Sequence, residues 1–201
     1  MTVMINIESK DWFEAEGYTV VKNALSNPLL DFVTQYALFD EMQDYEPDDS
    51  QVIGAHAKYA DPAMETLLLH LHPIMEQSTG LKLHPTYSFF RVYRNGDELK
   101  IHKDRPSCEI SCTLCFNHSY NRDEYKWPIY VAGNPADLQP GDMVIYRGCD
   151  LDHWREPMNA PGRDDWHVQG FFHYVNAYGP YSQYKYDYGP SIGEPRHKQQ
   201  K

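Results

Sequence analysis

The chain has 201 residues, enough for one enzyme-sized core, and nothing in it suggests a second. Its 29 acidic residues against 18 basic ones leave a net charge of −11. That balance argues against a nucleic-acid partner, whose phosphates require a basic stripe that releases counterions. No apolar run reaches the length of about 18 residues that a membrane helix needs, and the N-terminus shows neither a basic leader nor a cleavage signature, so a cytoplasmic protein is expected.

In chain order, Trp12 to Lys22 reads as a short helix that turns at Gly17 into a strand. Ser26-Asn27-Pro28 then offers a cap and a first-turn proline for a helix through Leu29, Leu30, Phe32, Val33 and Tyr36. The acid run from Asp40 to Asp49 reads as a solvated loop. Asp61-Pro62 opens the next helix, with Met64, Leu67, Leu68, Leu71, Ile74 and Met75 on one stripe and Gly80 closing it. Pro73 should kink that helix, because it lacks an N–H and its ring crowds the preceding turn. His70 and His72 stand about 200 degrees apart around a helix, so they cannot chelate one ion.

From Thr86 the pattern changes to strands. Tyr87 to Tyr93, a turn at Asn95-Gly96 and Glu98 to Asp104 have the signature of a hairpin. Glu109 to Phe116, Trp127 to Val131, Asp142 to Arg147 and His167 to Val175 add four more strands. Helices followed by many short strands suggest a mainly β protein with α elements, a double-stranded β-helix or jelly roll buttressed by N-terminal helices; an open sandwich satisfies composition equally well. One domain is expected over residues 1–193, with 194–201 a disordered tail. Cys108, Cys112, Cys115 and Cys149 fit no paired zinc pattern, and Cys112 and Cys115 fall on opposite faces of a strand, which makes them packing residues.

The chemistry is concentrated in two stretches. Within Leu99 to Pro106, His102 and Asp104 are two apart in an extended segment and so share a face. A strand that brings His153 alongside would set two imidazoles and one carboxylate on one side of a metal, leaving positions open for substrates. Iron(II) suits this mixed nitrogen and oxygen set, and zinc would also bind it.

Residues 86 to 175 resemble the catalytic core of the prolyl 4-hydroxylase-like 2-oxoglutarate/Fe(II)-dependent dioxygenases. The resemblance rests on His102-Lys103-Asp104, a gap of some tens of residues, His153, and a basic residue, Arg163, ten positions further on. It implies a jelly roll that holds Fe(II) on His102, Asp104 and His153, across the barrel mouth, with 2-oxoglutarate as cosubstrate. It further implies that O2 is consumed, that 2-oxoglutarate is decarboxylated to succinate, and that an unactivated C–H bond is hydroxylated.

The far carboxylate of 2-oxoglutarate needs a buried cation, and arginine supplies a two-pronged one. Arg155 and Arg163 compete for that role. Arg163 has the family spacing but sits in a loop with acids of its own, whereas Arg155, two after His153, shares its face if the strand continues; His167 stands third. The family's usual basic residue opens the last core strand, where this chain has Trp166 or His167. Tyr93 is a further candidate for cosubstrate binding, since the resembled family often has a tyrosine on the strand before the His-x-Asp motif; simple core packing is the competing reading of it.

Asp150 and Asp152 either orient ligands or are exposed loop acids. Arg105 and the segment from Tyr45 to Tyr59 are placed at the mouth, where loops usually carry specificity, and the tyrosine-rich stretch from Tyr174 to Tyr188 is expected to wrap the core. By analogy the substrate is a prolyl or other peptidyl side chain, or a small amino-acid-like metabolite. A zinc-dependent hydrolase on a cupin-like barrel and a non-catalytic binding module are the competing readings.

Overall fold

A computed structural model describes residues 7–43, 51–122, 124–162 and 164–194. Helix α1 (Ile7–Glu16) ends where Gly17, at φ 77°, donates its N–H to Phe13 O, and β1 (Tyr18–Val21) follows at once, as the Gly17 turn predicts. α2 spans Asn27–Glu41, β2 His56–Tyr59 and α3 Pro62–Thr79. The two helix starts are built differently. Asp61 caps α3 by accepting from Ala63 N and Met64 N, whereas Ser26 makes no side-chain cap bond and α2 starts on its proline alone.

α3 runs unbroken through Pro73 to Gly80, whose φ of 72° closes it. Pro73 is on the solvent side, and so is Leu69, one turn earlier, whose carbonyl loses its helical partner to the ring. His70 is exposed, and His72 bonds Leu83 O at 2.8 Å, so neither joins a metal site.

The remaining strands are β3 (Leu83–Arg94), β4 (Leu99–His102), β5 (Ile110–Ser119), β6 (Ile129–Val131), β7 (Asn134–Ala136), β8 (Met143–Arg147), β9 (His153–Arg155) and β10 (Trp166–Asn176). They form two antiparallel sheets, one of six strands in the order β1-β8-β5-β10-β3-β2 and one of four in the order β4-β9-β6-β7. The helices cover the outer face of the larger sheet and the smaller sheet faces its inner side, which is the buttressed jelly roll expected from the sequence.

One expectation fails. β3 and β4 are not a hairpin, because β3 pairs with β10 and β2 while β4 pairs with β9 in the other sheet. The Asn95-Gly96 turn is real, with Gly96 at φ 98° and Asp97 N bonded to Arg94 O. It is pinned to the far segment by Gly96 N to Met158 O and Met158 N to Asp97 O, so it carries the chain from one sheet to the other. Local turn chemistry specifies a reversal but not which sheet receives the next strand.

The strands alternate strictly between two environments. Phe90 and Val92 of β3, Cys112, Leu114 and Phe116 of β5, and Val168, Phe172 and Tyr174 of β10 pack with the helices in one core. The opposite face of β3 and β10 turns inward as a ladder of facing pairs: Tyr87 with His173, Phe89 with Phe171, Arg91 with Gln169, and Tyr93 with His167. Cys115 lies in a different cluster from Cys112, and all four cysteines are free.

After β10 the chain wraps back as Ser182–Tyr188, in which Tyr186, Asp187 and Tyr188 have φ of 59°, 49° and 63°. A non-glycine residue in this left-handed region costs about 1–2 kcal/mol, so three in succession need outside support. No helix among the described residues is long and apolar enough to cross a membrane.

Candidate active site

β4 and β9 place the two histidines directly opposite one another, His102 at the end of one strand and His153 at the start of the other, with ring centroids 4.2 Å apart. They come from neighbouring strands and not from opposite sides of the barrel mouth. Asp104 lies just past β4, its N–H held by Gly148 O, with Oδ1 3.8 Å from His102 Nε2 and 3.5 Å from His153 Nε2. Two ligand atoms that each lie about 2.0–2.2 Å from one ion stand at most about twice that apart, and both separations satisfy this. The structure thus brings His102, Asp104 and His153 together as the sequence predicts.

The tautomers follow from the hydrogen bonds. His102 Nδ1 donates to Lys100 O at 2.8 Å and His153 Nδ1 donates to Leu151 O at 3.0 Å, which leaves each Nε2 facing Asp104. Burial, together with the neighbouring His153, lowers the His102 pKa and favours the neutral, ligating imidazole. Burial pushes the Asp104 carboxyl up, but the surrounding histidines, His153 first, outweigh it and hold Asp104 below the usual carboxylate range.

Asp104 Oδ2 is held by Ser111 Oγ at 3.0 Å, and Ser111 in turn lies 2.8 Å from His173 Nδ1. His173 is neutral, its pKa pulled down to about 4 by burial. Asp104, Cys108 and His173 also lie close enough to share an ion. That set is the poorer one, since burial pushes the Cys108 thiol well up and His173 Nδ1 is already engaged.

The three ligands open into a cavity of about 540 Å³ whose walls include Phe89, Leu99, Phe171, Tyr146, Arg91 and Arg105. Asp150 and Asp152 are exposed loop acids. Arg105 and Tyr59 do line the mouth, while residues 44–50 of the proposed mouth segment lie outside the described residues.

Arg155 is buried on the same face of β9 as His153, as strand alternation requires, but it is not among the residues that line this cavity. It donates to Trp127 O and to Gln169 Oε1 at 2.7 Å, and its guanidinium lies 4.4 Å from the Trp127 ring. Among the described residues no carboxylate pairs with it. Gln169 Nε2, buried beside it, has no hydrogen-bond partner.

Tyr93 is buried between two guanidiniums, Arg91 at 5.2 Å and Arg155 at 5.9 Å from its ring, and its hydroxyl accepts from Arg91 at 2.7 Å. His167 bonds Tyr120 and Gln169 at the opening of β10, and burial together with Arg155 keeps it neutral. Arg163 lies outside the described residues.

The sequence reading missed Arg91, Ser111, Tyr146 and His173. Each occupies an inward position in a strand, and Ser111 stands opposite both His173 and Tyr146. A polar side chain recurring on the inner face of an apolar strand was the available signal.

No family model matches the chain, and a search of curated proteins also finds no match. Solved structures do match. A prolyl-4-hydroxylase from Pseudomonas putida aligns with a TM-score of 0.64 at 18% identity, over 83% of this chain and 97% of that one. EctD from S. alaskensis, solved with 2-oxoglutarate and 5-hydroxyectoine, gives 0.66 at 12% identity over 86% and 77%. The viral collagen prolyl hydroxylase vCPH from Paramecium Bursaria Chlorella virus-1, a 2OG complex, gives 0.60 at 8% over 81% and 98%. The chain therefore has a prolyl-hydroxylase-like jelly-roll fold. Within it, His102, Asp104 and His153 lie close enough to share one ion and all three line the cavity.

Proposed function

We infer that this chain is an Fe(II)- and 2-oxoglutarate-dependent oxygenase that hydroxylates an unactivated C–H bond. The observation that carries this is the pair of Nδ1-tethered imidazoles aimed with Asp104 at one point, in a fold shared with enzymes solved with iron or 2-oxoglutarate. The donor set fits the metal, with two imidazole nitrogens and one carboxylate on one side of an open cavity. When bound, iron, 2-oxoglutarate and O2 supply the oxidation, and 2-oxoglutarate leaves as succinate and CO2.

The protein's own part is positional. His102, Asp104 and His153 would hold the metal, and Ser111 fixes the orientation of the Asp104 carboxylate. Arg155 would receive the far carboxylate of 2-oxoglutarate. Among the described residues the buried cation has no acid partner and the buried amide donor beside it no acceptor, which fits an anionic ligand arriving from outside. Tyr93 orients that end of the site between its two arginines, and Phe89, Leu99 and Phe171 keep water from the reacting C–H bond. A peptidyl side chain, as in the prolyl hydroxylases, or a small amino-acid-like molecule, as in EctD, is the substrate.

The test is anaerobic titration of the Fe(II)-loaded protein with 2-oxoglutarate, followed by assay of O2-dependent succinate formation. A visible charge-transfer band that appears only with 2-oxoglutarate, absent in His102→Ala, is the expected result. Tight zinc with no response to 2-oxoglutarate would point instead to a hydrolase. Metal content unaltered by His102→Ala would leave a binding module.

A further inference from the structure

Among the described residues, the walls of the cavity carry three cations, Arg91, Lys103 and Arg105, and one carboxylate, Asp104. Arg105 follows the candidate ligand Asp104 in sequence, and its half-exposed guanidinium lies 4.6 Å from the ring of Tyr87 at the cavity's mouth.

Arg105 is held by a carboxylate that reaches it from the C-terminal wrap. Asp187 Oδ1 accepts from Arg105 NH1 at 2.7 Å and from Ser107 Oγ at 2.7 Å, and Oδ2 accepts from Arg105 NH2 at 2.8 Å and from the Tyr59 hydroxyl. Four donors converge on one carboxylate, and two of the three donating residues line the cavity. The segment delivering it does so with three successive left-handed non-glycine residues. The donors are arranged as a carboxylate receptor, while the donor-held segment is conformationally unfavourable on its own.

We propose that Arg105, Ser107 and Tyr59 form a subsite for a carboxylate of the substrate at the mouth of the metal cavity, and that Asp187 fills this subsite in cis until the substrate exchanges with it. Calling the ligand a substrate rests on the oxygenase reading; the existence of the subsite does not. A substrate so bound has its carboxylate one residue from Asp104, and its adjoining carbon chain directed past Tyr87 toward the metal ligands. An amino acid or a peptide with an acidic side chain has this form. Lifting of the wrap would accompany binding, since one guanidinium fork cannot serve two carboxylates in the same two-pronged geometry.

The subsite is tested on the metal-free full chain with acetate as the probe, because acetate reproduces the Asp187 side chain. In the unmodified protein the subsite is free only in the fraction of molecules with the wrap lifted, which weakens apparent affinity by that fraction. Asp187→Ala should therefore bind 13C-acetate about tenfold or more tightly than the unmodified chain, as read by NMR line broadening. Asp187→Ala/Arg105→Gln should lose that gain.

A second measurement needs no variant. Trypsin should cut after Lys185 faster in acetate than in chloride of equal ionic strength, because exchange frees the wrap. Equal acetate binding with and without Asp187, a gain that survives Arg105→Gln, or cleavage indifferent to acetate would each overturn the subsite. Acetate binding without 2-oxoglutarate-dependent succinate would sink the oxygenase reading alone, and succinate formation without acetate binding would sink the subsite alone.

Discussion

His102 and His153 are direct partners across the β4–β9 pair, and each ties its Nδ1 to the carbonyl two residues earlier in its own chain. The same local device used twice fixes both tautomers before any metal arrives. Orientation of the third ligand comes from elsewhere, through Ser111 on the larger sheet.

That division predicts the effect of Ser111→Ala. The variant removes the hydroxyl between Asp104 and His173 while leaving all three ligands in place. Loss of such an outer partner should weaken metal binding by about 10–100-fold. Equilibrium dialysis against Mn(II) or Fe(II) reads the affinity, and circular dichroism should show an unchanged fold.

Gly148 is a steric partner of the same carboxylate. A Cβ at this position would run into Cys108 O and Asp104 Oδ2 and come within 3.0 Å of Ser111 Oγ. Gly148→Ala should cost about 1–3 kcal/mol of stability by overpacking and should lower metal affinity as well, because Asp104 must move. Denaturant melts together with metal dialysis check both parts.

If Arg155 receives the far carboxylate, Arg155→Gln should raise the KM for 2-oxoglutarate by one to two orders of magnitude, since hydrogen bonds to charged groups are worth about 1.5–3 kcal/mol. The kcat should change much less. Arg163→Gln made in parallel decides between the two arginines, and the expected result is little change in KM.

How far the sequence reached is clearest in its capping residues. Asp61 and Ser26 look alike as cap letters ahead of a proline, yet Asp61 is 2% exposed and accepts from two helix N–H groups, from Tyr36 at 2.6 Å, and faces Lys58 at 3.4 Å, while the Ser26 side chain makes no cap bond. Asp61→Ala should destabilise the fold by about 1–3 kcal/mol and Ser26→Ala should be close to neutral, as thermal melts would show. The grouping of His102, Asp104 and His153 was legible because a period-two spacing and a pair of turns carry them. Ser111, His173 and Arg91 were not, because their meaning lies in cross-strand register, which depends on segments distant in the chain. The misread hairpin at Asn95-Gly96 fails for the same reason.

The Tyr36, Asp61 and Lys58 contact also sets an alkaline limit. Burial, and then its bond to Asp61, push the Tyr36 pKa from 10.0 up to about 12. Lys58, which burial pulls down, is pushed up overall by its bond to Asp40. Both groups bind their proton more tightly folded than unfolded, so the stability they contribute is complete below about pH 10 and falls as pH rises toward 12. Tyr36→Phe should flatten the decline in Tm across that window.

β4 and the two residues after it carry two of the three candidate metal ligands, yet among the described residues β4 has only β9 as a neighbour in the sheet. A border strand four residues long is where a sandwich comes apart first. Peeling it away would separate the imidazoles and scatter the donor atoms in a single motion. An ion bridging them would act as a rivet through that seam, so amide protons of β4 and β9 should exchange markedly more slowly once it is in place, whatever reaction the loaded protein goes on to perform.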